Sequence, residues 1–158
     1  MNHTHDPLQP HAHDPNPEPP SADATFGLYT PNGRLQTITV SNLRALPKTA
    51  VSNCFIVSTG HGTTGPFTFG GVALLDFVQA YVSDSWSQVE VVSADGFGNR
   101  VLADELIHPI GAGIILLAYE MDKRPLIRKN GLVRLIVPSE RDDALRQVKW
   151  VGTIRVLA

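Results

Sequence analysis

Gly71-Val-Ala-Leu-Leu-Asp-Phe-Val-Gln-Ala-Tyr81 is the longest stretch with a helical period, and what flanks it decides the fold class. Leu74, Leu75, Val78 and Tyr81 fall on one helical face. Before it, residues 59–70 hold four glycines and a proline and predict a loop. Residues 51–58, apolar and rich in β-branched side chains, predict the strand that feeds this loop. Further back, residues 35–40 alternate as a strand does, and Ser41 is placed to cap a short helix over 42–46 that Pro47 stops. Pro31-Asn32-Gly33 is a turn signal, with Asn and Gly suited to positive φ. After the central helix the pattern predicts a strand at 88–94, a Gly-rich turn at 95–99 and a short helix at 103–108 ended by Pro109. Three more strands follow at 114–120, 132–137 and 149–157. Short helices scattered among about six strands, without strict βαβ alternation, indicate an α+β domain with mixed sheets.

Size and composition agree with one such domain. The 158 residues suit a single core, with 42% hydrophobic and 18% charged residues. Cys54 is the one cysteine, so no disulfide forms within the chain and a reducing compartment fits. The start, Met-Asn-His-Thr-His-Asp, has neither the basic nor the apolar region of a secretory signal. The longest apolar run, residues 110–119, is about half what a membrane-spanning helix needs. These features predict a soluble, cytoplasmic protein without a membrane partner. Residues 1–24 hold six prolines, four histidines, four acids and no Lys or Arg. Such a segment lacks the apolar surface to offset ordering, and it is expected to be a disordered tail outside a domain spanning 25–158. Its pairs His3/His5 and His11/His13 could take up a metal ion weakly and opportunistically; no function is assigned to them.

Charge is unevenly placed. The net charge is −2, yet nine of the 13 Lys and Arg residues lie after Glu120 with only four acids, a formal +5. A basic end of this kind suits either an anionic small molecule such as a phosphate or a solvated surface. Nucleic acid is not the expected partner, because there is no basic helix and no interleaved aromatic stripe. No Ser-His-Asp arrangement, Walker loop or paired-cysteine metal site is present.

Four segments, in order, carry a resemblance: Phe69-Gly-Gly-Val-Ala-Leu-Leu, Ser93-Ala-Asp-Gly-Phe, Leu117-Ala-Tyr-Glu-Met with Arg124-Pro-Leu, and Leu132-Val-Arg-Leu-Ile-Val-Pro138 followed by Val148-Lys-Trp150. Together they are similar to the oxidoreductase molybdopterin-binding domain of the sulfite oxidase family, over residues 35–157. The resemblance implies the fold of that family, a molybdopterin cofactor whose molybdenum is held by the pterin dithiolene and one protein cysteine, and oxygen-atom transfer as the reaction. A soft sulfur donor suits such a thiophilic metal. Counted back from Gly71, the family cysteine's position falls at Ser58, with Cys54 as the alternative. The two lie four residues apart, roughly 13 Å along a strand at about 3.3 Å per residue, on the same face. The resemblance further implies that Arg134, Arg146 and Lys149 hold the cofactor's phosphate; for Arg134 and Lys149 surface ion pairing is the other reading.

Thr59-Gly-His-Gly-Thr-Thr-Gly65 adjoins the metal position. Gly60 and Gly62 let backbone N–H groups approach an anion, and His61 is a candidate proton carrier or metal ligand, or simply a turn residue. Cys54 reads most simply as a small buried hydrophobe, and His108 as a helix-end residue near the last carbonyls. Two functions remain in view. One is a molybdopterin-binding oxidoreductase domain. The other is a non-catalytic ligand- or partner-binding module of the same fold that has lost the metal.

Overall fold

The computed structural model describes residues 24–58, 62–94, 96, 98–108, 114–127, 131–137 and 147–158. The expected tail, the loop residues Gly60 and His61, and Arg146 lie outside the described residues. Two five-stranded sheets carry the fold. Sheet A runs β2 (Leu35–Ile38), β1 (Phe26–Tyr29), β10 (Val151–Leu157), β5 (Gln88–Ser93) and β6 (Gly98–Leu102). Here β1 and β10 are parallel and the other neighbours antiparallel. Sheet B runs β3 (Thr49–Ser58), β4 (Gly62–Ala73) and β7 (Leu116–Met121). The far edge of β7 is shared by β8 (Arg124–Pro125) and β9 (Arg134–Ile136). Three short helices join them: α1 (Val40–Arg44), α2 (Leu74–Tyr81) and α3 (Ala103–Ile107). The mixed-sheet α+β class expected from the pattern is the one observed.

The main core lies between the sheets. It combines Leu28, Val89, Val91, Ile154 and Val156 of sheet A with Val72, Leu117, Tyr119 and Leu135 of sheet B, closed by Leu43, Leu74, Phe77, Val78 and Leu106 from the helices. A second cluster covers the other face of sheet B: Val51, Cys54, Phe69, Leu116, Ala118, Leu126 and Ile136. The Leu116–Tyr119 run of β7 is therefore buried on both faces, which explains its continuous apolar sequence.

Several local expectations need correction. Residues 59–70 were expected to form a loop, but β4 begins at Gly62 and runs without a break to Ala73. Gly71 answers to close packing. A Cβ on Gly71 would sit 2.0 Å from the Leu117 carbonyl oxygen, at the point where the β4–β7 register shifts. The central helix consequently starts at Leu74 rather than Gly71, its first amide bonded to the Ile115 carbonyl. Helix α1 is capped by Thr39, not Ser41: Thr39 Oγ1 accepts from the Asn42 amide, and Asn42 Oδ1 accepts from the Thr39 amide. In the first turn only Gly33 takes a positive φ, +83°, whereas Asn32 does not. Strands β1 and β6 were not anticipated, nor was β8. The last is set by a two-residue turn in which Asp122 and Lys123 both have positive φ, a geometry that matches strand twist.

Bulges set which side chains face where. Val51 and Cys54 are three apart, which would normally put them on opposite faces. An extra residue on β3 between them, opposite Phe69 and Phe67, brings both onto the outer face of sheet B. Gly152 does the same for Val151 and Ile154 on β10.

Candidate functional site

The basic residues of the last third reach the fold through β9. Leu135 and Val148 form an antiparallel bridge with both backbone hydrogen bonds present, at 2.8 and 3.1 Å, and both side chains lie in the inter-sheet core. Side chains alternate along paired strands. Arg134 and Ile136, with Lys149 and Gln147 opposite them, therefore turn to the outer face of sheet B. Gly131 gives the measure of this approach. Its φ is +105°, and a Cβ there would lie 3.0 Å from Cγ of Arg134 and 3.3 Å from Cβ of Lys149. Arg134 and Lys149 thus converge on one glycine. Leu132 and Trp150 also have positive φ, and the Trp150 amide donates to the Gly131 carbonyl. Three left-handed residues around two cations form an over-determined local backbone.

The environment of Arg134 is unusual for its charge. The residue is 3% exposed, with its guanidinium 5.7 Å from the centre of the Phe69 ring. Burial pulls its pKa down to about 10, so it remains a cation at neutral pH. Lys149 is partly exposed, with its ammonium 5.6 Å from the Trp150 ring centre. Gln147 is buried, and its Oε1 has no hydrogen-bond donor among the described residues. Sequence reading missed Gln147. The signal was its spacing from Lys149, which in a strand puts both on one face.

Cys54 shares this outer cluster with Phe69, whose ring carries Arg134. The thiol is buried, its Sγ 3.7 Å from the Val51 carbonyl and 3.8 Å from that of Ser52. Burial pushes its pKa up, so it stands as a neutral thiol. Ser58 ends β3, its register partner Gly62 beginning β4. Three other cations of the described residues make ion pairs. Lys48 and Arg44 both bond Glu120, at 2.6 and 3.4 Å, and Lys48 chiefly holds that carboxyl below its ordinary range. Arg100 pairs with Glu90 at 3.2 Å. His108 closes α3 through its backbone amide, which donates to the Asp104 carbonyl. The described residues hold no group of three or more His, Cys, Asp or Glu suited to a metal ion, and no helix long and apolar enough to cross a membrane.

Comparison with known proteins shows the family. The family model of the oxidoreductase molybdopterin binding domain matches residues 26–158. The mitochondrial sulfite oxidase of Drosophila melanogaster is 29% identical over 152 residues, an alignment covering 77% of this chain and 25% of the fly protein. The crystal structure of the sulfane dehydrogenase SoxCD from Paracoccus pantotrophus superposes with a TM-score of 0.65 at 18% identity, over 84% of this chain and 38% of that one. The chain therefore spans well under half the length of either protein, and the structural likeness concerns the fold.

Proposed function

The chain belongs to the oxidoreductase molybdopterin-binding domain family, and from that premise we propose that the outer face of sheet B holds the phosphate end of a molybdopterin. Arg134 and Lys149 are the cations that take the anion, joined by Arg146 from outside the described residues. The metal end then lies toward Ser58, with His61, Gly60 and Gly62 of the adjoining loop in reach of the reacting group. The convergence of Arg134 and Lys149 on Gly131 carries this reading. The chemistry of the residues supports it. A guanidinium kept charged despite burial provides the forked donor set that suits a phosphate. A buried amide oxygen at Gln147 suits a ligand with N–H groups to donate, as a pterin has.

The two ends of the cofactor are served unequally. When bound, molybdenum in this family supplies oxygen-atom transfer. The only thiol of the chain, Cys54, is held neutral within the apolar cluster and does not present the anionic sulfur such a metal prefers. The donor set thus fits the pterin phosphate and not a thiolate-bound metal, and no reaction step is derived through the metal. Family membership favours cofactor binding over a module that has abandoned the pterin. We place the protein's work in the cytoplasm, on its single free cysteine.

The test is the content of protein purified from a cofactor-producing host. Pterin is expected at close to one equivalent with molybdenum well below it, and Ser58→Cys is expected to raise the molybdenum share. Protein that emerges with neither pterin nor metal overturns the assignment.

A further inference from the structure

The outer face of sheet B buries one acceptor that the fold itself leaves unused. Gln147 is 8% exposed, and among the described residues nothing donates a hydrogen bond to its Oε1. The bridge between Leu135 and Val148 sets Gln147 opposite Ile136. Ile136 belongs to the apolar cluster with Phe69, Leu116 and Ala118, whose side chains have no donor to offer. Arg134 and Lys149 turn to the same face, and neither of them bonds this oxygen. An amide oxygen loses its water on burial and normally recovers a partner inside the protein. A methionine would fill a similar space without that cost.

We propose that Gln147 is the specificity-determining residue of this face: its Oε1 accepts an N–H from the ring of a pterin-type ligand and so selects that ligand among phosphates. This role rests on the reading of the outer face as a phosphate site, and it supplies the discrimination that cations cannot. Cations attract any phosphate, with little regard to what the phosphate is attached to. A buried acceptor does discriminate. A ligand without a donor leaves it unpaired and desolvated, whereas a ligand with one completes it. Pterin rings carry such donors, an amino group and ring N–H groups among them. Gln147 lies two residues from Lys149 on the same face, so a ring joined to the phosphate through a short arm falls within its reach. The amide is neutral, so it adds selectivity without changing the charge that draws the anion. In the unliganded protein the same open acceptor works against stability.

Three ligands are titrated into the full chain and into full-length Gln147→Met, which keeps the side chain's length and removes the acceptor. They are inorganic pyrophosphate, 6-hydroxymethylpterin pyrophosphate and the uncharged 6-hydroxymethylpterin. The parent is expected to bind the pterin pyrophosphate more tightly than pyrophosphate alone. Gln147→Met is expected to lose about tenfold for the pterin pyrophosphate, some 1.4 kcal/mol, and to bind inorganic pyrophosphate within about twofold of the parent. Its melting temperature without ligand is expected to equal or exceed the parent's, because an unpaired buried oxygen has gone. An equal loss for both pyrophosphates, no loss for either, or a melting temperature more than about 3 °C lower overturns the role of Gln147, and the phosphate reading survives wherever inorganic pyrophosphate still binds. If inorganic pyrophosphate does not bind the parent, while the uncharged pterin binds it and not Gln147→Met, the role of the amide stands and the phosphate reading fails. A parent that binds none of the three overturns both.

Discussion

The two faces of sheet B are built from the same strands, yet only the outer one buries a cation. The inner face, against sheet A, presents Val72, Leu117, Tyr119, Val133, Leu135 and Val137. The outer face presents Phe69, Leu116, Ala118, Leu126 and Ile136, but it also holds the Cys54 thiol, the Arg134 guanidinium and the Gln147 amide. A face made only to be covered does not need a buried cation. Removing Arg134 from water works against folding, and the depression of its pKa to about 10 records that opposition. The inner face serves stability, and the outer face retains polarity that stability does not require. That difference supports placing the proposed site on the outer face.

The largest test of this division falls on the inner face. Leu117 is fully buried between the sheets. Leu117→Ala is expected to cost about 2–5 kcal/mol of folding stability by leaving a cavity, read as a large drop in denaturation midpoint. Pyrophosphate affinity of the folded protein should stay within about twofold. An equal fall in affinity would show that the two faces do not divide stability from binding.

The outer face should respond in the opposite proportion. At Gly131 an added Cβ meets Arg134 Cγ at 3.0 Å and Lys149 Cβ at 3.3 Å, on a backbone whose φ of +105° other residues rarely adopt. Gly131→Ala is expected to cost roughly 1–3 kcal/mol in strain, less than Leu117→Ala, while weakening pyrophosphate binding about tenfold, or some 1.4 kcal/mol. Isothermal titration of both variants makes the comparison. A Gly131→Ala protein that loses stability and keeps its affinity would reduce the cradle to a packing feature.

How far the sequence foretold these faces depends on the kind of signal. Helix α2 and strands β5, β7 and β10 were legible because apolar spacing is local. Strand β4 was not, because its glycines and Pro66 resemble a loop until the strands on both sides are known. The cap of α1 was misplaced by two residues because Thr39 and Ser41 are both suitable, and only the reciprocal bond with Asn42 selects Thr39. Among the proposed site residues, Arg134 and Lys149 were singled out from charge and family resemblance, but their convergence depends on the bridge between Leu135 and Val148, 13 residues apart, and on left-handed backbone at Leu132 and Trp150. Gln147 carries no charge and no motif, so only burial exposes it. Strand parity from Val51 would have turned Cys54 inward, and the bulge that reverses this leaves no clear mark in the sequence.

Cys54 supplies the smallest effect, and it tests whether the outer face is packed as a core despite its polar groups. Its thiol is 5% exposed, and burial raises its pKa above the ordinary 9.0. The native state therefore keeps this proton at a pH where the unfolded chain releases it. With more protons bound in the native state, stability falls as pH rises. The contribution is fully present below about pH 9 and is lost progressively above it. Cys54→Ala lacks this titration. Its stability deficit relative to the parent, from the lost sulfur contacts, should be constant up to about pH 8.5 and shrink toward pH 10. Every other ionisable group is common to both proteins and cancels in the difference. In the parent at pH 8, a thiol-specific reagent should label Cys54 slowly in buffer and rapidly in denaturant. Fast labelling of the native protein, or a deficit that does not change with pH, would mean that the outer face admits water at Cys54. The thiol would then be open to the thiolate role assigned above to the Ser58 position.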